Sequence, residues 1–275
     1  MTQEERRRWL IRALMDERDD MAGVRISDDA QEQRDLLRAL MNVRPPEPIG
    51  DEFLQVQDAY LAERLSQRGV VRLEDLAPVG MANVAVGVEA GLADRLYLWR
   101  GDITTLATDA IVNAANSQML GCFVPGHHCI DNAIHTFAGV QLRRACAELM
   151  WNQGHDEPTG SVKVTPGFNL PARYVLHTVG PIVYGKEPTA RDQWGLRSSY
   201  RSCLEAATQL GCASIALCCV STGVFHYPND AAARVAFEEV RHHLLRVDPR
   251  LRVVFNVFLE KDERIYRDLL FGDAR

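Results

Sequence analysis

Two thiols and an imidazole, those of Cys122, His127 and Cys129, fall within eight residues of one another. Thiolate and imidazole donors in this combination suit zinc. Pro125 and Gly126 lie between them and permit the tight bend that would gather three donors round one ion. Structural zinc sites are closed by four protein ligands, whereas catalytic sites keep one position open. Only three well-placed donors are evident in this stretch. His128 would point away from its neighbours in an extended backbone, although exchange between His127 and His128 stays open. Asp131 follows closely and is a candidate outer-shell or catalytic group. Two cysteines and a histidine can also meet in a loop incidentally, so the surroundings decide the reading.

Those surroundings are loops suited to a ligand. Asn113-Ala-Ala-Asn116 stands just before the cysteines. Its two amides offer donors and acceptors that could read sugar hydroxyls or could simply fix the loop. Gly101-Asp102-Ile103-Thr104 holds an Asp that could accept from the exocyclic amine of a base, or cap a short helix. Ser221-Thr222-Gly223-Val224-Phe225 is a small-residue turn whose consecutive N–H groups would suit a diphosphate. Phe225 and Tyr227 could wall off a sugar there. On its own such a turn is an ordinary strand-to-helix connection. His135 and His177 lie inside a predicted helix and strand and read as core histidines.

The elements that must hold these loops alternate. Strands are expected over 95–100, 109–114, 161–165, 173–179, 213–220 and 251–258. Helices are expected over 130–150, 191–210, 230–245 and 261–270. This alternation indicates a three-layer α/β/α domain with a central mixed, largely parallel sheet, over residues 91–275. Ligands of such sheets sit beyond the strand C-termini, where Asn113–Asn116 and Ser221–Tyr227 must lie. Residues 1–90 read as a helical N-terminal extension packed on that domain. Thr2 and Glu5 match a capping box for its first helix. Ser27 is placed to cap the second, Arg44-Pro-Pro-Glu-Pro-Ile-Gly50 stops it, and a third runs from about 51 to 66. No chemistry is visible in the extension.

Composition bounds the partners. The 275 residues carry a net charge of −6, which argues against broad electrostatic capture of nucleic acid. A phosphate-bearing ligand would therefore be held by backbone N–H groups and helix N-termini. Apolar runs are too short to cross a bilayer, and the charged N-terminus is no secretory signal. The cysteine count of seven is odd, and Cys218 adjoins Cys219, so a disulfide framework is not expected. A reducing cytoplasm fits and would keep thiolates free for metal.

Taken together, these pieces resemble the macrodomain family, which binds ADP-ribose. The motifs at 101–104, 113–116 and 221–225 stand in that family's order and spacing. Val179-Gly180-Pro181, Ile134-His135 and Ala138-Gly139 also fit, so the likeness spans about residues 95–272. The resemblance implies that Asp102 binds the adenine amine and Ile103 contacts the base. Asn113 and Asn116 would meet the distal ribose. Ser221, Thr222, Gly223, Val224 and Phe225 would cradle the diphosphate, with Phe225 flanking the distal ribose. Where hydrolytic macrodomains carry a glycine run, this chain has Gly121-Cys-Phe-Val-Pro-Gly-His-His-Cys-Ile-Asp131. That stretch and the helical extension look like the zinc-dependent branch, often bacterial, which removes mono-ADP-ribose from proteins. The resemblance then implies Zn2+ at Cys122, His127 and Cys129, with Asp131 and Asn116 as the catalytic pair. It also implies an ADP-ribosylated protein as partner, such as a lipoyl-carrier protein modified by a sirtuin-type transferase, and a monomer acting on Asp/Glu esters. The alternative is a reader that binds ADP-ribose and uses zinc only as a loop staple.

Overall fold

The computed structural model describes residues 1–81, 88–89 and 91–272. Helix α1 (Gln3–Asp16) starts at the expected capping box between Thr2 and Glu5. Helix α2 (Ala30–Val43) is capped by Asp29, whose side chain accepts from the N–H groups of Gln31 and Glu32. Ser27 therefore does not cap it; its hydroxyl instead accepts the Asp29 N–H at 3.1 Å, one step outside. Asp wins because it stands directly before the first helical turn, where the free N–H groups converge. The helix stops at Arg44, which Pro45 forces into an extended conformation. Helix α3 (Asp51–Arg68) ends at Gly69, at φ +82°. These three helices bury their own core of Leu10, Ile11, Leu14, Leu37, Leu40, Phe53, Tyr60 and Leu61.

The remaining elements are strands β1 (Val71–Arg72), β2 (Leu96–Arg100), β3 (Leu106–Ala107) and β4 (Ala110–Ala114), helices α4 (Ile130–Ala138) and α5 (Val140–Gln153), strands β5 (Val162–Pro166) and β6 (Tyr174–Thr178), helix α6 (Ala190–Gln209), strand β7 (Ser214–Leu217), helix α7 (Asn229–Arg246), strand β8 (Arg252–Val257) and helix α8 (Glu260–Phe271). The main sheet runs in the order β2-β8-β7-β4-β6-β5. All neighbours pair in parallel except β5, which is antiparallel to β6. Strands such as β7 are buried along their whole length, which is why they read as unbroken apolar runs. The parallel order brings the loops after β2, β7 and β4 to one edge of the sheet.

Two departures from expectation bear on the site. The stretch 130–150, expected as one helix, is two. Gly139 at φ +96° ends α4 and begins α5. A Cβ there would stand 2.6 Å from Gln57 Nε2, and Gln57 Oε1 accepts the Val140 N–H at 3.0 Å. The break is thus fixed by α3, a distant segment. Secondly, β1 pairs in parallel with β3, so residues 71–72 of the expected extension join the main domain. The expected boundary at residue 90 lies outside the described residues. Helix α4 links the two cores: Phe137 packs against both.

Candidate active site

Helix α4 begins where the metal loop ends. Cys129 is its N-cap, and its Sγ accepts the Asn132 N–H at 3.4 Å. That thiol sits where N–H groups and the positive end of the helix dipole favour a negative atom. Burial nevertheless pushes it up to about 12, against the Asn132 hydrogen bond and with help from the nearby Cys122 and Asp131. A cation between these groups would reverse that balance, as expected for thiol ligands. Donor atoms of Cys122, His127 and Cys129 all lie within 4.8 Å of one another, each residue half-buried. His127 turns Nδ1 toward Cys122 Sγ at 3.5 Å. His128 is exposed and outside the group. Two thiols and one imidazole so gathered fit a zinc ion with one further position available.

Asp131, in the first turn of α4, faces the sheet and is buried. Its Oδ1 accepts from Asn113 Nδ2 at 2.8 Å. Burial raises its pKa to about 6, against the Asn113 hydrogen bond and the charge of Arg143. Asn113, expected beside a sugar, is instead fully buried and turned inward. The pleat decides this: Asn113 is within β4, opposite His177 of β6, and its amide also meets His177 Nδ1 at 3.1 Å. Asn116, beyond the strand, is half-buried. Its Oδ1 accepts from the N–H groups of Gln118 and Met119, and its Nδ2 donates to the Gly121 carbonyl at 3.3 Å. It therefore shapes the turn that leads into the metal loop.

A second group, His135, Cys146 and His177, also has donor atoms within 4.8 Å of one another and could by distance hold a metal. Its protonation argues for a core network. The Asp131 carboxylate takes one Asn113 N–H, so the amide presents its other N–H to His177 Nδ1. Nδ1 is then the acceptor and Nε2 carries the proton, facing Thr165 Oγ1 at 2.9 Å. Both ring nitrogens are committed. Burial holds this ring neutral, with its pKa at about 3, and pushes the Cys146 thiol up to about 12. His135 is buried too. Its Nε2 stands 3.5 Å from Asp131 Oδ1, and its ring lies against Gly121, where a Cβ would come within 2.8 Å.

The other expected ligand loops share the edge of the sheet with this site. Asp102 follows β2 and caps the short helical turn Ile103–Thr105, accepting from Thr104 N–H and hydroxyl. Its Oδ2 pairs with Arg68 of α3 at 2.9 Å, and that guanidinium lies 3.5 Å over the Phe137 ring. Counting lone pairs, Oδ2 keeps room for one more donor. Ile103 is buried. After β7, Ser221 takes a positive φ of 66° and opens the turn. A Cβ on Gly180 would come 2.1 Å from Ser221 Oγ, so the 180 and 221 loops meet closely. Val183 N–H donates to the Phe225 carbonyl at 2.8 Å and links the same loops. Thr222 is half-buried, its hydroxyl donating to the Cys219 carbonyl, while Gly223 and Val224 are exposed. The N–H groups of Gly223, Val224 and Phe225 have no backbone acceptor among the described residues, which suits an anion. Tyr227 does not wall a sugar; it is 2% exposed and belongs to the core.

Sequence reasoning missed four side chains at this site: Arg38, Asn42, Arg68 and Arg143. Arg143 of α5 donates to the Leu120 carbonyl at 2.6 Å and stacks 4.3 Å over Phe123, so it holds the start of the metal loop. All four act across long separations, and no local pattern marks them.

A family profile described as "Macro domain" matches residues 112–236. The chain is similar to the protein-ADP-ribose hydrolase of Treponema medium, 54% identical over 98% of this chain and all of that protein. It is also similar to the protein-ADP-ribose hydrolase of Staphylococcus aureus strain MRSA252, 44% identical over 97% of this chain and 95% of that one. Among solved structures, the Trypanosoma brucei macrodomain in complex with ADP-ribose aligns with a TM-score of 0.64 and 33% identity, over 84% of this chain and 94% of that one. The Oceanobacillus iheyensis macrodomain with ADP aligns with a TM-score of 0.58 and 39% identity, over 63% and 88%.

Proposed function

This chain belongs to the macrodomain family, among its protein-ADP-ribose hydrolases, and from that membership we propose that it is zinc-dependent and releases mono-ADP-ribose from Asp and Glu side chains of modified proteins. The observation that carries the zinc reading is the approach of the Cys122, His127 and Cys129 donor atoms to within 4.8 Å of one another. They lie on a loop that follows the Asn116 turn and ends at Cys129, the N-cap of the helix that carries Asp131. Zinc held there would supply a Lewis acid with one open position beside the bound ribose.

The chain's own residues do the rest. The adenine amine would use the remaining lone pair of Asp102 Oδ2, with the base resting on Ile103. Ser221, Thr222, Gly223, Val224 and Phe225 would receive the diphosphate on N–H groups, which is how an acidic protein can hold an anion without a basic patch. Asn116 would hold the ribose hydroxyls and fix the scissile ester against the loop. Asp131 would orient the attacking water or take its proton through Oδ2, since Asn113 occupies Oδ1. Asn113 thus acts through Asp131. The ester linkage is favoured because a carboxyl carbonyl next to an open metal position is readily polarised.

A comparison of wild type with Cys129→Ala on a protein carrying glutamate-linked ADP-ribose tests this reading. Free ADP-ribose should be released by the wild type and reduced at least about a hundredfold in the variant, the scale at which loss of one electrostatic stabiliser acts. Equal release by both would sink the zinc role. Tight ADP-ribose binding with no release by either would mean a reader whose metal, if any, only staples the loop.

A further inference from the structure

The metal loop does not order itself. Over residues 121–129, Gly121 and Gly126 take positive φ angles, Pro125 withholds an N–H, and the one backbone turn is closed by His127 N–H on the Val124 carbonyl. Fixing such a backbone costs roughly 1–2 kcal/mol per residue. The structure supplies the missing order from helix α2 of the N-terminal extension. Arg38 uses its guanidinium fork: Nη2 donates to the His127 carbonyl at 3.0 Å and to Asn132 Oδ1 at 2.8 Å, and Nε donates to the same Oδ1 at 3.1 Å. Asn42, one turn along and 1% exposed, accepts the Gly126 N–H on Oδ1 at 3.0 Å. Its Nδ2 donates to Thr136 Oγ1 at 2.9 Å, and that hydroxyl donates to the Asn132 carbonyl at 2.7 Å.

These bonds converge on the donors. Arg38 fixes the backbone of one donor residue, His127. Asn132, held by Arg38 directly and by Asn42 through the Thr136 hydroxyl, gives its N–H to Cys129 Sγ and its Nδ2 to the Val124 carbonyl. The His127 and Cys129 end of the donor set is therefore held from outside the loop, by residues 84 to 94 positions away in the chain. A guanidinium on two acceptors defines a plane as well as a distance, which an ammonium cannot do.

We propose that Arg38 and Asn42 are positioning residues for the metal, so that the helical extension pre-organises the 122–129 loop for zinc. This rests on the zinc reading above. Residues that orient metal ligands typically change metal affinity by roughly 10–100-fold when removed. Pre-organisation tightens binding because the ordering cost is met before the ion arrives.

The test uses full-length, metal-stripped protein. Zinc dissociation constants are measured by competition with a chromophoric chelator for wild type, Arg38→Ala, Arg38→Lys and Asn42→Ala. Cobalt(II) is titrated in parallel, and its thiolate charge-transfer and d–d bands are recorded. The expected result is zinc binding weakened about 10–100-fold in Arg38→Ala and Asn42→Ala, with altered cobalt bands. Arg38→Lys should recover part of the affinity, because it keeps donors but not the fork. Metal-free Arg38→Ala should keep the wild-type far-UV circular dichroism at the assay temperature, so that weakened zinc binding reads the loop rather than global unfolding. Wild-type affinity and wild-type cobalt bands in both alanine variants would overturn the clamp while leaving zinc in place. A wild type that takes up neither metal would overturn the zinc reading and the clamp together.

Discussion

At the scale of the residue, Asn113 changes meaning most between sequence and structure. Its type and spacing identify the motif, and the sequence leaves open whether its amide reads a sugar or fixes the loop. The pleat answers: the side chain is buried, one N–H on Asp131 and the other on His177. It holds a buried carboxylate in place and sets the tautomer of a buried ring with one group. Replacing it with alanine should leave Asp131 Oδ1 without a donor inside the core. The expected cost is about 2 kcal/mol of folding stability, the scale of a lost hydrogen bond to a charged group. Hydrolysis should fall while ADP-ribose binding holds, because Asn113 reaches the reaction only through Asp131. Denaturant unfolding beside single-turnover release checks both; an Asn113→Ala protein of unchanged stability and rate would refute this placement.

At the scale of the element, the turns are where sequence and structure agree on place and differ on cause. The 221–225 turn follows a short apolar strand, as its position in the chain implies. What aims it is not local. Ser221 takes a positive φ, and the loop at Gly180 packs against it where only a glycine leaves the space. Gly180→Ala would put a Cβ 2.1 Å from Ser221 Oγ and 2.6 Å from Val220 Cγ1. Both neighbours are buried, so the turn itself has to move. Calorimetry with ADP-ribose should give about tenfold weaker binding, or near 1.4 kcal/mol, in a protein that still folds. Unchanged affinity would mean that the turn does not carry the diphosphate. The same reasoning explains the break at Gly139. Periodicity runs through it without interruption, and the cause is Gln57 of another helix.

At the scale of the molecule, the alternation of strands and helices made the α/β layers legible, since buried parallel strands and amphipathic helices differ in period. The donor loop was legible because its chemistry is local: two thiols and an imidazole with a proline and a glycine between them. The contribution of the first seventy residues was not, because Arg38, Asn42 and Arg68 look like any polar positions on amphipathic helices. Their partners are the 122–129 loop and Asp102 itself, and only folding brings them there. Among the described residues, no helix is long and apolar enough to cross a membrane. On the proposed reading, the output of the extension, sheet edge and loop together should depend on the ion. The most direct measurement strips the full-length protein with a chelator, removes the chelator, and follows ADP-ribose release from a glutamate-modified protein as zinc is added back. Release should be lost on stripping and should return, saturating at one zinc per chain. Undiminished release by the stripped protein would contradict the account.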